Sequence, residues 1–182
     1  MKKNESDVRY ILRLALTLLV ITSVVAAALA GVNAVTGPII ARKTAEKTRL
    51  AVEKVLPGGG QKLEFAASEL VSNVYQGENG YAVEVTPSGF DNTITMMVGV
   101  DTNGKVLGID IISHTETAGL GAVADADTPA GQAFRAQFAG VSGSAAVTKD
   151  GGTMDALTGA TITSRAICEG VNAALACVAE LD

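Results

Sequence analysis

Nineteen consecutive uncharged residues, Leu14 to Val32 (LALTLLVITSVVAAALAGV), constrain this chain more than any other feature. At ~1.5 Å of rise per residue, a helix of that length approximately crosses the ~30 Å hydrocarbon core of a bilayer. Its hydroxyl residues, Thr17, Thr22 and Ser23, can return their hydroxyls to carbonyls of the preceding turn, which keeps them paired in lipid. Tyr10 stands where an interfacial aromatic sits, and Arg13 can reach back toward headgroups. Ala28-Leu29-Ala30 before Gly31 also fits a signal-peptidase site, but the apolar run exceeds the ~7–15 residues of a signal-peptide core. The pattern favours a retained anchor: a tail over 1–10, a transmembrane helix over 11–35, a linker helix and turn over 36–60, and a soluble domain over 61–182. Four Lys/Arg precede the span and five follow it, so the positive-inside count does not set its orientation.

Charge is segregated along the chain. The whole carries 14 Lys+Arg and 19 Asp+Glu, a net −5. Beyond residue 54 only five bases (Lys62, Lys105, Arg135, Lys149, Arg165) oppose fifteen acids, a net −10. An acidic globule on a basic collar is a poor nucleic-acid ligand. Two Cys and one His exclude a disulfide framework, a Cys-rich zinc site and a thiolate-held iron–sulfur cluster within this chain. Any redox chemistry therefore needs an organic cofactor. Cys168 and Cys177 lie nine apart in one helical stretch, too far to bridge, and read as small packing residues. Iron–sulfur or intersubunit ligation is their weaker alternative.

The soluble part reads as α+β, with an antiparallel-rich sheet, packed helices and no internal repeat. Pro38 marks the expected exit from the anchor, and Ala41, Ala45, Val52 and Leu56 form a helical stripe that stops at Pro57-Gly58-Gly59-Gly60. Strands are expected at Tyr81–Val85, Ile94–Val98 and Val106–Ile112. Asp101-Thr102-Asn103-Gly104 between the last two has hairpin-turn chemistry. A short helix is expected around Gln132–Phe138. A final amphipathic helix over 162–181 places Ile167, Val171, Ala174, Val178 and Leu181 on one face.

Two segments carry candidate chemistry. The first is Asp155-Ala156-Leu157-Thr158-Gly159-Ala160-Thr161-Ile162-Thr163-Ser164-Arg165, at the start of the final helix. One helix cap needs one Ser or Thr, and four gather here. Free amides and the positive end of the dipole make the alternative an anion site suited to phosphate. The second is Ser113-His114-Thr115-Glu116-Thr117-Ala118-Gly119-Leu120-Gly121, after the third strand. It holds the one His, which is as consistent with a surface pair as with a ligand contact, and its glycines allow backbone to approach a flat ligand. No second His supports a metal.

Together, TGATITS preceded by Asp155 and HTETAGLG about forty residues earlier resemble the membrane-anchored FMN-binding-domain family. That family includes the G subunits of Rnf ion-translocating ferredoxin:NAD oxidoreductases and the C subunits of sodium-translocating NADH:quinone reductases. The resemblance covers nearly the whole chain, and its D-x-x-[ST]-G-A-T element is the most specific part.

The resemblance implies FMN held through a phosphoester to Thr161, attached by a separate flavin transferase that uses FAD. Asp155 belongs to the acceptor motif. Thr158, Thr163 and Ser164 are then expected to hydrogen-bond the phosphate, with Gly159 and Ala160 leaving room for it and the ribityl chain. His114, Glu116, Thr117, Gly119 and Leu120 are expected to line the flavin or ribityl side. No residue is expected to be a catalytic nucleophile. Expected partners are the other Rnf subunits, especially the membrane flavin-carrying D subunit and the A and E membrane subunits. The expected topology is a cytoplasmic N-terminus and an extracytoplasmic FMN domain in the cell (inner) membrane. Two departures from the family pattern stand out: Ala118 where Pro is usual, and Ser88-Gly89-Phe90-Asp91 where a Gly-Tyr-Gly-Gly element is common. Rival readings are a stand-alone anchored FMN protein feeding an extracytoplasmic reductase, and a pilin-like surface protein.

Overall fold

The computed structural model describes residues 2–64 and 69–181, with side chains from residue 9 onward. Its elements run α1 (Lys2–Val55), β1 (Gln61–Leu63), β2 (Val71–Gly77), β3 (Gly80–Val85), β4 (Thr95–Asp101), β5 (Val106–Ser113), α2 (Pro129–Ala136) and α3 (Thr161–Leu181). Short 3₁₀ turns occupy Gly121–Ala124 and Thr148–Asp150. The chain divides after Ala45 into two units.

The first unit is the N-terminal part of α1. Its large apolar side chains from Tyr10 to Val35 are exposed, and its best 18-residue window has a mean hydropathy of 2.4. Water would not tolerate such a surface; lipid would. The Thr17 hydroxyl donates to the Arg13 carbonyl at 2.7 Å and that of Thr22 to the Leu18 carbonyl at 2.9 Å, the backbone return expected of hydroxyls in an apolar helix. Pro38 lies inside α1 rather than at its end, so the helix runs on past the expected exit point.

The second unit is α+β. Its five strands form one antiparallel meander in the order β1-β2-β3-β4-β5. At the β4–β5 hairpin the Asp101 carboxylate accepts from the amides of Asn103 and Lys105, both at 2.8 Å, and Gly104 takes φ +70°. These bonds hold the Asp101 carboxyl below its ordinary value. The hairpin expected from Asn-Gly is thus the one formed.

The central strands are covered on both sides, and their alternation decides which residues go where. Val83 and Val85 of β3 and Met96 and Val98 of β4 face α3, joining Ile167, Val171, Ala174 and Val178, while Ile109 and Ile111 of β5 enter the same core on the α2 side. α3 is long and apolar enough to resemble a span, yet most of it is buried as this core helix. On the opposite face, Ala51, Val52, Val55 and Leu56 at the end of α1 pack against Ala82, Met97 and Ile112. A Cβ on Gly99 would collide with the Val55 carbonyl, so this glycine lets the helix end seat on β4. Lys54 pairs with Asp110, which explains an acid within an otherwise apolar strand. The stripe foreseen along this helix begins later than expected: Ala41 and Ala45 are exposed, and burial starts at Ala51.

Candidate functional site

Thr161 opens α3, and the chain before it is built to expose it. The amide of Ala160 donates to the Leu157 carbonyl at 3.0 Å, closing a turn with Gly159 at φ +75°. That left-handed backbone favours glycine at this position, and the bare Cα leaves Leu120 Cδ2 its place beside the turn. The first helical bond runs from the Ser164 amide to the Ala160 carbonyl at 3.0 Å. The amides of Thr161, Ile162 and Thr163 therefore stand ahead of the helical ladder, at the positive end of a 21-residue helix.

Around this helix start lies a cavity of about 300 Å³, lined by Phe90, Glu116, Thr117, Leu120, Gly121, Lys149 and Gly159 to Thr163. Phe90, Leu120 and Ile162 are its exposed apolar members. A neighbouring cavity of about 560 Å³ shares Leu120 and is lined also by Gly119, Phe134, Gln137, Asp155 and Thr158. Both volumes fall in the range of small-molecule sites. The two motifs recognised in the sequence thus meet, although more than forty residues separate Glu116 from Thr163.

They meet through one carboxylate. Glu116 is buried and accepts from the Phe90 amide at 2.8 Å, the Asp91 amide at 3.3 Å and the Thr163 hydroxyl. Cβ atoms on Gly89 or Gly121 would collide with the same carboxylate, so these glycines make its seat. Glu116 therefore ties the Phe90 loop, its own loop and α3 together, which is a different task from lining the flavin side by itself.

Two hydroxyls assigned from sequence to a phosphate are committed inside the protein. Thr163 donates to Glu116, and Ser164 donates to the Ala160 carbonyl and accepts from the Leu157 amide, both at 3.0 Å. Burial leaves Ser164 no access to an outside anion. His114 lines neither cavity. Its Nδ1 accepts from the Glu116 amide at 3.2 Å, and its Nε2 lies 3.8 Å from the Asp125 carboxylate. It braces the loop from behind. Asp155 is exposed beside the larger cavity, its backbone amide and carbonyl bound by the Gln137 side chain at 2.7 and 3.3 Å.

Sequence reasoning missed Lys149. Its Nζ donates to the Thr161 hydroxyl at 3.2 Å. The signal was present in principle, as one of only five bases beyond residue 54. Nothing local in Thr148-Lys149-Asp150 says that the turn folds back onto α3. The cysteines are unpaired and buried along α3, as small packing residues. Burial, and then the charge of Asp150, pushes the Cys168 thiol up to about 11.

The arrangement offers a hydroxyl, a cation and a set of helix-start amides at the mouth of a partly apolar cavity. A phosphorylated ligand with a flat ring system fits that donor set and the glycine cradle at Gly159. Comparison with known proteins agrees. Residues 89–176 match the FMN-binding domain family model. The chain is 33% identical to the G subunit of the Na(+)-translocating ferredoxin:NAD(+) oxidoreductase complex of Acetobacterium woodii, over 94% of this chain and 93% of that protein. It is 30% identical to the G subunit of the ion-translocating oxidoreductase complex of Methanosarcina acetivorans, over 93% and 95% of the two chains. With the G subunit of the proton-translocating ferredoxin:NAD(+) oxidoreductase complex of Clostridium ljungdahlii the identity is 34%, over 81% and 80%.

Proposed function

The chain belongs to the G-subunit family of Rnf-type ion-translocating oxidoreductases, and from that premise we propose that it is the electron-carrying flavoprotein subunit of such a complex. FMN supplies the one- and two-electron chemistry that the side chains of this domain lack. The observation that carries the reading is the placement of Thr161: a hydroxyl at a helix start, in a cavity, within the matched FMN-binding domain.

In this reading Thr161 holds the FMN phosphate through its Oγ. The helix-start amides and Lys149 face the phosphate, and Gly159 and Ala160 leave it room. Phe90, Leu120 and Ile162 supply apolar surface for the ring system, and Glu116 positions Phe90 from behind. A covalent tether suits a domain outside the cytoplasm, where a dissociated cofactor would be lost. We assign residues 1–10 to the cytoplasm, 11–35 to the cell (inner) membrane, 36–60 to a linker and 61–182 to the extracytoplasmic FMN domain. Its partners would be the flavin-carrying D subunit, the A and E membrane subunits and, for maturation, a flavin transferase. The proposed span over 11–35 carries no acid, so in this reading ion movement falls to the other subunits.

The test is the flavin fluorescence of the protein band on a denaturing gel, for the chain produced with its transferase. The wild type retains fluorescence through denaturation, and Thr161→Ala abolishes it. A fluorescent Thr161→Ala band would overturn the assignment.

A further inference from the structure

Lys149 is the one basic side chain on the wall of the cavity among the described residues, and it points at the oxygen of Thr161. The other ionisable group on that wall, Glu116, is spent on three internal donors. Among the described residues Lys149 enters no ion pair, although acids outnumber bases threefold beyond residue 54. Its neighbour Asp150 is taken by Arg165, one turn further along α3, through two bonds of 2.7 and 2.6 Å.

The turn that presents Lys149 is held from several sides. The Thr148 amide donates to the Met154 carbonyl at 2.9 Å, and the Gly152 amide to the Val147 carbonyl at 3.1 Å. Gly151 takes φ +84°, and a Cβ on Gly152 would strike the Ala146 carbonyl. With the Asp150–Arg165 fork, these bonds fix the turn against the start of α3. The turn thus holds a cation against a neutral hydroxyl at the start of the same helix, and the nearest carboxylate, Asp150, is bonded to Arg165 and feels Lys149 only through its charge.

We propose that Lys149 is the cationic partner of a phosphodiester formed on Thr161, an inference that rests on Thr161 being the attachment point. Attachment forms the bond between Thr161 Oγ and the flavin-side phosphorus of FAD and breaks the pyrophosphate bond. AMP leaves and the hydroxyl proton is released. The product keeps one negative charge, beside the bridging oxygen that Lys149 already contacts, on a domain whose net charge is already −10. Lys149 thus assists attachment by stabilising the charge that builds on the phosphoryl oxygens, and afterwards offsets the anion it leaves behind.

The experiment loads the full chain in detergent with flavin transferase, FAD and Mg²⁺, and follows the FMN adduct by intact mass. Lys149→Met is expected to slow initial loading about tenfold, with Lys149→Arg restoring most of the rate. Melting temperatures of the loaded and unloaded forms give a second readout. Loading should lower the melting temperature of Lys149→Met relative to its effect on the wild type, and the difference should shrink in high salt. Wild-type loading kinetics in Lys149→Met together with an unchanged loaded-minus-unloaded melting difference would overturn the role of Lys149 alone. No adduct on the wild type, or an adduct on Thr161→Ala, would overturn the attachment site and this inference with it.

Discussion

Truncating Glu116 isolates the contact that holds the site together. Its carboxylate accepts from the Phe90 and Asp91 amides and from the Thr163 hydroxyl. Hydrogen bonds to a charged acceptor contribute ~1.5–3 kcal/mol each, but the three do not simply add. Phe90 and Asp91 belong to an exposed loop whose amides can recover water, whereas Thr163 is 1% exposed and cannot. Glu116→Ala therefore costs about 3 kcal/mol, combining the buried Thr163 hydroxyl with a partial loss at the two amides. For a unit of this size, that lowers the melting temperature by roughly 10 °C. Glu116→Gln keeps the shape: its carbonyl oxygen still serves the amides, and its NH₂ donates to a Thr163 hydroxyl turned round to accept. It should lose only about 1 kcal/mol. Thermal unfolding of the full chain in detergent measures both variants, and hydrogen exchange at the Phe90 and Asp91 amides reports the loop directly. Glu116→Ala melting within a couple of degrees of the wild type would refute the reasoning, as would Gln and Ala variants that behave alike.

Further expectations concern the frame around the site. Gly99→Ala forces a methyl against the Val55 carbonyl and should destabilise the domain by ~1–3 kcal/mol in urea titration, whereas Gly108→Ala, with nothing within 4 Å of its Cβ, should cost less. Burial pushes the Cys168 thiol up to about 11, and burial with the nearby Glu180 charge also raises Cys177. At pH 8 Cys168 should therefore alkylate about a hundredfold more slowly than a free thiol, and both cysteines should react once the protein is denatured. Fast labelling of the native chain would contradict their packing. The Arg165 guanidinium holds the Asp150 carboxyl below its ordinary value of 3.8. Its contribution is therefore present above that value and is lost as pH falls through the lower folded value. Comparing acid unfolding of the wild type and Asp150→Asn tests this: the variant should show a shallower loss of stability in that interval.

The chain's own order shows where sequence reading succeeds. An uncharged run, a 3.6-residue stripe and a two-residue alternation are local signals, and each is visible within a few turns of chain. They supplied the apolar helix, β3 to β5, the Asn103-Gly104 hairpin and the buried face of α3. The DALTGAT element likewise identified a helix start unusually rich in hydroxyls. β1 and β2 escaped notice because Gln61–Leu63 and Val71–Gly77 are largely polar; only Val71 and Val74 of β2 are buried. They are strands because β3 offers β2 a pairing edge and β2 in turn offers one to β1, which no local pattern records.

The roles of the site residues depended on tertiary structure for the same reason. Thr163 and Ser164 look alike in sequence to any phosphate-binding hydroxyl, but one meets Glu116 from 47 residues away and the other caps the turn before its own helix. His114 braces a loop because Asp125 and the Glu116 amide are its neighbours, not because of its residue type. Lys149 reaches Thr161 only because the Thr148–Asp150 turn folds back and Asp150 locks onto Arg165. Sequence alone determined the membrane-competent helix, the α+β class and the helix start at Thr161, since backbone preference and hydrophobic periodicity are short-range. Tertiary structure decided which polar atoms spend themselves on the protein and which are left for a ligand, because hydrogen bonds and charges are satisfied by whatever the fold brings within about 3 Å.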